Sequence, residues 1–137
     1  MSHSWAQIVL LVESRARNRC EYCRMHQALQ GATFHVDHIV PTSKGGSNEL
    51  DNLCLCCPSC NLKKGDRRQA MDPATNSLVD IFNPRRQSWS DHFSWDGHLL
   101  VALTTTGRAT MEMLQFNHPR RILIRRAEQQ FRLFPPA

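Results

Sequence analysis

Six cysteines lie within the first 60 residues of this 137-residue chain, and four of them form two C-x2-C pairs, Cys20/Cys23 and Cys57/Cys60. Two such pairs can surround a tetrahedral Zn²⁺, because each short turn brings both thiolates to one side, about 2.3 Å from the metal. A disulfide scaffold normally distributes its cysteines over the whole domain and follows a secretory signal, and we recognise neither feature. The pattern therefore predicts a structural zinc site and a cytoplasmic location.

The remaining two cysteines, Cys54 and Cys56, fall outside these pairs. We expect them to be small buried residues on a strand, because free cysteine commonly packs as an apolar side chain. A redox or metal-sensing thiol protein is the alternative function that would depend on them.

A second group of polar residues lies between and just after the cysteine pairs. It contains Asp37 and His38 at the end of a predicted strand, Asn52 further along, and Asn61 directly after the last cysteine. A carboxylate, an imidazole and a late amide can hold one hard divalent cation beside a general base, which is what phosphodiester hydrolysis requires. Each residue alone also fits an ordinary strand-end, core or turn role. On an ideal strand His35 shares a face with Asp37, so His35 competes with His38 as ligand or base.

The order and spacing of these motifs resemble an HNH endonuclease domain over about residues 17–67. The resemblance rests on Cys20-x2-Cys23, His35-Val36-Asp37-His38-Ile39-Val40-Pro41, Gly45-Gly46, Asp51-Asn52-Leu53, Cys57-x2-Cys60-Asn61 and Lys64. It implies a ββα-metal fold in which zinc ties a hairpin to a helix. It also implies a catalytic Mg²⁺ or another divalent ion such as Mn²⁺.

The resemblance assigns a role to each polar residue. Asp37 stands at the first metal ligand and His38 at the general base. Asn52 stands at the middle asparagine, which supports the loop that orients the base. Asn61 stands at the final metal ligand, where the family often has histidine.

Hydrophobic periodicity and turn residues predict the elements that must position these groups. Helical spacing of apolar residues after Ser4 predicts a helix over 4–19. The β-branched segment Thr33–Val40 predicts a strand, a turn-rich loop follows at 43–48, and Leu50–Cys56 predicts a second strand. Pro58 then begins a short helix that ends near Arg68.

The second half is less regular, and it resembles an extension of some bacterial HNH proteins. Residues 72–77 are typical of a linker or long turn, and residues 81–95 are expected to be irregular. Two strands are predicted at 98–103 and 109–116, joined as a hairpin through residues 105–108. A final helix is expected from Pro119 to Phe134.

These elements define an α+β fold: a small zinc-stabilised ββα-metal core with an N-terminal helix and a C-terminal β-hairpin plus helix extension. We expect residues 1–70 to hold the helix and nuclease domain. Residues 71–137 would form the extension that packs on it. No apolar run approaches the roughly 20 residues that span a bilayer, so a membrane protein is not expected.

The chain carries a net charge of +5, and arginine supplies most of its basic residues. Arginine pairs with phosphate through two parallel hydrogen bonds, which favours a polyanionic partner. The resemblance to HNH endonucleases implies that this partner is DNA, which we expect to be double-stranded. The candidate DNA contacts are Lys44, Lys64, Arg85, Arg86, Arg121 and Arg125. The sequence therefore predicts a metal-dependent DNA endonuclease with a histidine base, and the alternative is a non-catalytic, zinc-stabilised nucleic-acid-binding module.

Overall fold

The computed structural model describes residues 3–137 and begins with helix α1, Trp5–Arg15. Ser4 and Gln7 form a capping box, in which the Ser4 hydroxyl accepts from the Gln7 amide at 3.2 Å and the Gln7 side chain accepts from the Ser4 amide at 2.8 Å. The helix is shorter than predicted because Arg17 and Asn18 adopt positive φ angles, which turn the chain toward the first cysteine pair.

A two-stranded antiparallel hairpin and a helix form the ββα unit. Strand β1, His35–His38, pairs with β2, Leu53–Cys56, with His38 opposite Leu53. Helix α2, Pro58–Lys64, starts directly after Cys57 and packs against β1. Both strands are shorter than predicted, because residues 50–52 form a helical turn and the chain leaves the sheet after His38. The predicted mixed α and β fold is confirmed.

The segment expected to be a linker is the turn of a second hairpin. Strands β3, Gln69–Asp72, and β4, Ser77–Asp80, are antiparallel. The Asp72 carboxylate closes the turn, since it accepts from the Ala74 amide at 3.1 Å and from the Thr75 hydroxyl at 2.8 Å. It also accepts from the Arg108 guanidinium at 3.0 Å, which fastens the hairpin to the rest of the extension.

The predicted C-terminal hairpin is displaced toward the N-terminus, and it is the third hairpin of the structure. After the single turn α3, Trp89–His92, strands β5, Phe93–Asp96, and β6, Leu99–Ala102, pair through a tight turn at Gly97. The expected strand at 98–103 is therefore confirmed, but its partner precedes it in the chain. The expected turn at 105–108 and strand at 109–116 are wrong.

Those residues form helix α4, Thr105–Leu114, and the chain continues into helix α5, Pro119–Gln130. The Thr104 hydroxyl accepts from the Gly107 amide at 3.0 Å and starts α4 as an N-cap. Gly107 is required there, because a Cβ atom would lie 2.5 Å from the His92 carbonyl oxygen. Helix α5 ends before Phe134, earlier than predicted.

One hydrophobic core joins the two halves of the chain. It contains Val12 and Leu55 from the first half, and Phe93 and Phe116 from the second. The Trp89 indole also donates to the Tyr22 carbonyl at 2.9 Å across this boundary. The two halves on either side of the predicted division near residue 70 thus share one core, and the division into two domains stays a prediction.

No helix in residues 3–137 is both long enough and apolar enough to cross a bilayer.

Candidate active site and metal centre

The four paired cysteines converge on one buried point. Cys20 and Cys23 lie in the turn after α1, whereas Cys57 caps α2 and Cys60 lies in its first turn. Their sulfur atoms all lie within 4.8 Å of one another, and the Cys23 and Cys57 Sγ atoms are 3.8 Å apart. Tetrahedral zinc with bonds of about 2.3 Å separates its sulfur ligands by about 3.8 Å. The cluster therefore fits a structural zinc site.

The protonation equilibria of this cluster also suit a cation. The pKa of Cys20 is lowered although burial raises it, because neighbouring thiols donate hydrogen bonds to its thiolate. The pKa of Cys60 is raised by burial and by the same network. Four buried thiols this close together cannot all lose their protons without a compensating positive charge. A bound divalent metal would supply that charge.

The two surplus cysteines are buried, as expected from the sequence. Burial and the nearby Asp37 carboxylate raise the pKa of Cys54. A buried thiol with a raised pKa forms little thiolate, which argues against a redox-sensing function for Cys54.

Asp37 lies near the end of β1 with its carboxylate largely buried. Its Oδ2 atom is 3.1 Å from the Lys64 ammonium, which is itself only 1% exposed and lies 3.4 Å from the His38 carbonyl oxygen. Burial raises the pKa of Asp37, and the Lys64 charge opposes part of that rise. Lys64 therefore lies inside the site, instead of on the surface where a DNA contact was expected.

His38 is the last residue of β1 and is held through one ring nitrogen. Its Nε2 atom is 2.7 Å from the Asn48 side-chain oxygen. With the amide oxygen as acceptor, Nε2 carries the proton and Nδ1 keeps a lone pair. The competing residue, His35, is exposed at the opposite end of the same strand.

Asn52 is buried and uses its whole amide group to support the loop that follows His38. Its Oδ1 atom accepts from the Val40 amide at 2.8 Å, and its Nδ2 atom donates to the Val40 and Ser47 carbonyls at 3.1 and 2.8 Å. Gly46 allows this close packing, because a Cβ atom there would lie 1.7 Å from the Val40 carbonyl oxygen. Asn52 can position the base, and its amide is fully occupied by that task.

Asn61 lies on α2, three residues before Lys64 and therefore on the same helix face. Its side chain is partly exposed, and it forms no hydrogen bond to protein within residues 3–137. The packing of α2 on β1 brings this helix against the strand that carries Asp37. Asn61 thus has a free amide next to the strand that ends in the Asp37-His38 pair.

Comparison with known proteins agrees with this arrangement. Residues 20–67 match the HNH endonuclease family model. This segment is an HNH domain. Over 118 residues, 85% of its length, the chain is 25% identical to Septu protein PtuB from Bacillus thuringiensis and covers 43% of that protein. No solved structure gives a significant match. The HNH match supports a nuclease-type role.

Two predicted DNA contacts outside the HNH domain point inward. Arg121 is 3% exposed and donates to the Cys60 sulfur at 3.3 Å. Burial lowers the pKa of Arg121, but the cysteine thiolates overcome this effect and raise it overall. Arg125 is fully buried, donates to the His98 carbonyl at 2.9 Å and lies over the Trp95 ring. Neither guanidinium is available to a phosphate, because both are buried and donate hydrogen bonds to acceptors in the protein interior.

The other predicted contacts lie nearer the surface. Lys44 and Arg86 are exposed, whereas Arg85 is partly buried in an ion pair with Glu21, and burial lowers its pKa to about 10. Arg86 and the exposed Arg68 line an open cleft of about 490 Å³ beside the loop that Asn52 supports. Arg68 also lines an adjoining cleft of about 400 Å³ together with Lys44.

Two residues of the site were missed in the sequence: Asn48, which holds the His38 ring, and Arg68, which lines the cleft beside the Asn52 loop. Arg121 was named as a DNA contact, but it contacts the zinc cluster instead. The run of basic residues at the end of α2 could have indicated Arg68. Asn48 and Arg121 carry no local signal, because their partners are set by loop closure and by tertiary packing.

Proposed function

We propose that this protein is a metal-dependent endonuclease that hydrolyses DNA phosphodiester bonds. The observation that carries the proposal is the pair Asp37 and His38 at the end of β1, where the His38 ring is held through Nε2 and the Asp37 carboxylate is largely buried. The pair occurs within the segment that matches the HNH endonuclease family. The chain covers less than half of the length of the PtuB protein that it matches. An activity of the whole protein is therefore also a proposal.

His38 serves as the general base. With Nε2–H donated to Asn48, its Nδ1 atom accepts a proton from the attacking water. General-base catalysis of this kind contributes about 10²–10⁴ in rate. Asn52 is a positioning residue, because it fixes the chain at Val40, two residues after the base.

Asp37 and Asn61 would hold the catalytic Mg²⁺ or Mn²⁺ through oxygen atoms, the donors that these ions prefer. Within the described residues only the cysteine cluster groups three or more acidic, histidine or cysteine ligands. A site of one carboxylate and one amide leaves several positions for water, as Mg²⁺ sites usually do. When bound, the ion would stabilise charge on the scissile phosphate and leaving oxygen.

Double-stranded DNA would lie along the basic cleft. Lys44, Arg68 and Arg86 are exposed there, and the cleft borders the loop that follows His38. Each phosphate that these residues neutralise would add about one unit to the salt dependence of binding. A cytoplasmic location is the compartment we propose, in keeping with six cysteines that form no disulfide.

Supercoiled plasmid cleavage by matched histidine variants tests this proposal. His38→Ala should lose about 10²–10⁴ in rate with zinc content and folding unchanged, because only the base is removed. His35→Ala is the control, since this exposed histidine lies on the same strand. An active His38→Ala variant together with an inactive His35→Ala variant would show that His38 is not the general base.

The ion pair between Asp37 and Lys64 favours the alternative function. It neutralises the charge of the carboxylate that would bind the catalytic ion, as expected in a zinc-stabilised module that binds nucleic acid without turnover. Under this alternative, wild-type protein binds the plasmid but leaves it intact at every concentration of Mg²⁺ or Mn²⁺.

A further inference from the structure

The zinc cluster accepts a hydrogen bond from a positively charged side chain that lies outside the HNH domain. Four thiolates and one Zn²⁺ carry a net charge of −2, and all four cysteines are fully buried. Buried charge is costly unless it is paired or accepts hydrogen bonds. Within residues 3–137, the charged side chain that donates a hydrogen bond to these sulfurs is that of Arg121.

Arg121 reaches the cluster from the C-terminal extension. It lies in the first turn of α5, and its Nη1 atom donates to the Cys60 sulfur at 3.3 Å. Its Nη2 atom donates to the Ser59 hydroxyl at 2.8 Å, which fixes the guanidinium plane. Its neighbour Arg120 points to solvent, so the inward position belongs to one arginine of this turn.

We propose that Arg121 is an outer-sphere partner of the zinc site, which makes the C-terminal extension part of the metal centre. A guanidinium that donates to a metal-bound thiolate withdraws electron density from the sulfur and offsets part of the cluster's charge. It thereby strengthens zinc retention and makes the Cys60 thiolate a poorer nucleophile. The proposal depends on zinc binding at the cysteines and is independent of nuclease activity.

Zinc affinity and a spectroscopic signature of the sulfur together test this role in the full chain. Arg121→Met removes both the charge and the donor, and we expect zinc to bind about 10–100-fold more weakly in competition with a chromogenic chelator. In Co²⁺-substituted protein, the sulfur-to-metal charge-transfer band should move to lower energy, because the thiolate becomes more electron-rich. A purely structural role for Arg121 would leave that band in place.

Three further variants make the result decisive. Arg120→Ala removes an exposed arginine of the same turn and should match wild type in both measurements. Ser59→Ala keeps the sulfur contact but frees the guanidinium, so we expect a smaller shift of the same sign. If Arg121→Met does not fold, Arg121→Gln is measured instead, since it keeps an N–H donor without charge. Wild-type zinc affinity and an unmoved cobalt band in a folded Arg121 variant would overturn the proposal, as would equal changes in Arg120→Ala.

Discussion

Replacing Asn52 with alanine should destabilise the protein by about 3 kcal/mol. The change removes three hydrogen bonds from the Asn52 side chain to the loop backbone at Val40 and Ser47. Each bond contributes about 1 kcal/mol net, and the partners are partly buried, so water replaces the lost amide poorly. For a domain of this size, the loss corresponds to a decrease of roughly 10 °C in Tm.

The isosteric change Asn52→Asp separates shape from hydrogen bonding. The new carboxylate could still accept from the Val40 amide, but its second oxygen would face two carbonyl oxygens where Nδ2 now donates. Only the protonated acid can donate, so its pKa in the folded protein should lie above the unfolded value of about 3.9. The folded state then binds the proton more tightly. The stability of this variant relative to wild type should therefore fall as pH rises above about 4.

Denaturant unfolding of zinc-loaded protein measures both effects, with Asn48→Ala as the control. Asn48 is exposed, and its side chain forms a hydrogen bond to His38, so its removal should change the free energy of unfolding by less than about 1 kcal/mol. A loss below 1 kcal/mol for Asn52→Ala, or an equal loss for Asn48→Ala, would refute the assignment of Asn52 as the residue that supports the loop.

Three further predictions concern the metals and the extension. Cys60→Ser should lose zinc and unfold the HNH domain, because zinc binding supplies about 10 kcal/mol or more of folding free energy in small metal-stabilised domains. A variant that contains no zinc by elemental analysis and is still folded by circular dichroism would contradict this. Arg108 holds the pKa of Asp72 well below its usual range. The stability that Asp72 contributes is thus present above its unfolded pKa of about 3.9 and is lost as pH falls toward the folded value. The difference in unfolding free energy between wild type and Asp72→Asn should therefore decrease in acid, as measured by unfolding curves at several pH values. Asp37→Ala and Asn61→Ala should each raise the Mn²⁺ concentration needed for half-maximal cleavage, with zinc content unchanged. Mn²⁺ titrations unchanged from wild type in both variants would exclude a shared site.

The zinc cluster and the ββα unit could be predicted because their information is local. The x2 spacing of Cys57 and Cys60 fits the first turn of a helix, and Pro58 marks where that helix starts. The alternation and β-branching around Val36 indicate a strand, although they do not show where pairing stops.

The extension was harder to predict because tertiary contacts override local preference there. The threonines at 104–106 favour a strand or turn by propensity, yet the Thr104 hydroxyl caps a helix and Thr110 becomes part of its buried face. Asp72 and the turn after it are typical of a linker. The ion pair with Arg108, 36 positions away in the chain, converts this turn into a fixed hairpin.

The two buried arginines show the same limitation at the level of the site. Arg121 and Arg125 are spaced four apart on a helix, a pattern typical of a solvated or DNA-binding face. Their burial depends on partners from distant segments: the Cys60 sulfur for one, and the His98 carbonyl for the other. A single sequence carries no signal for such partners.

The proposed function requires that the chain is an enzyme with a catalytic ion distinct from its structural zinc. The most direct test measures plasmid cleavage by zinc-loaded protein in a weak chelator that leaves zinc in place, with and without added Mg²⁺ or Mn²⁺. We expect conversion of supercoiled plasmid only when the second cation is present, with one zinc retained per chain throughout. Plasmid that is bound but uncut at every Mg²⁺ and Mn²⁺ concentration, or cleavage at the same rate without either ion, would contradict a catalytic role for a second cation.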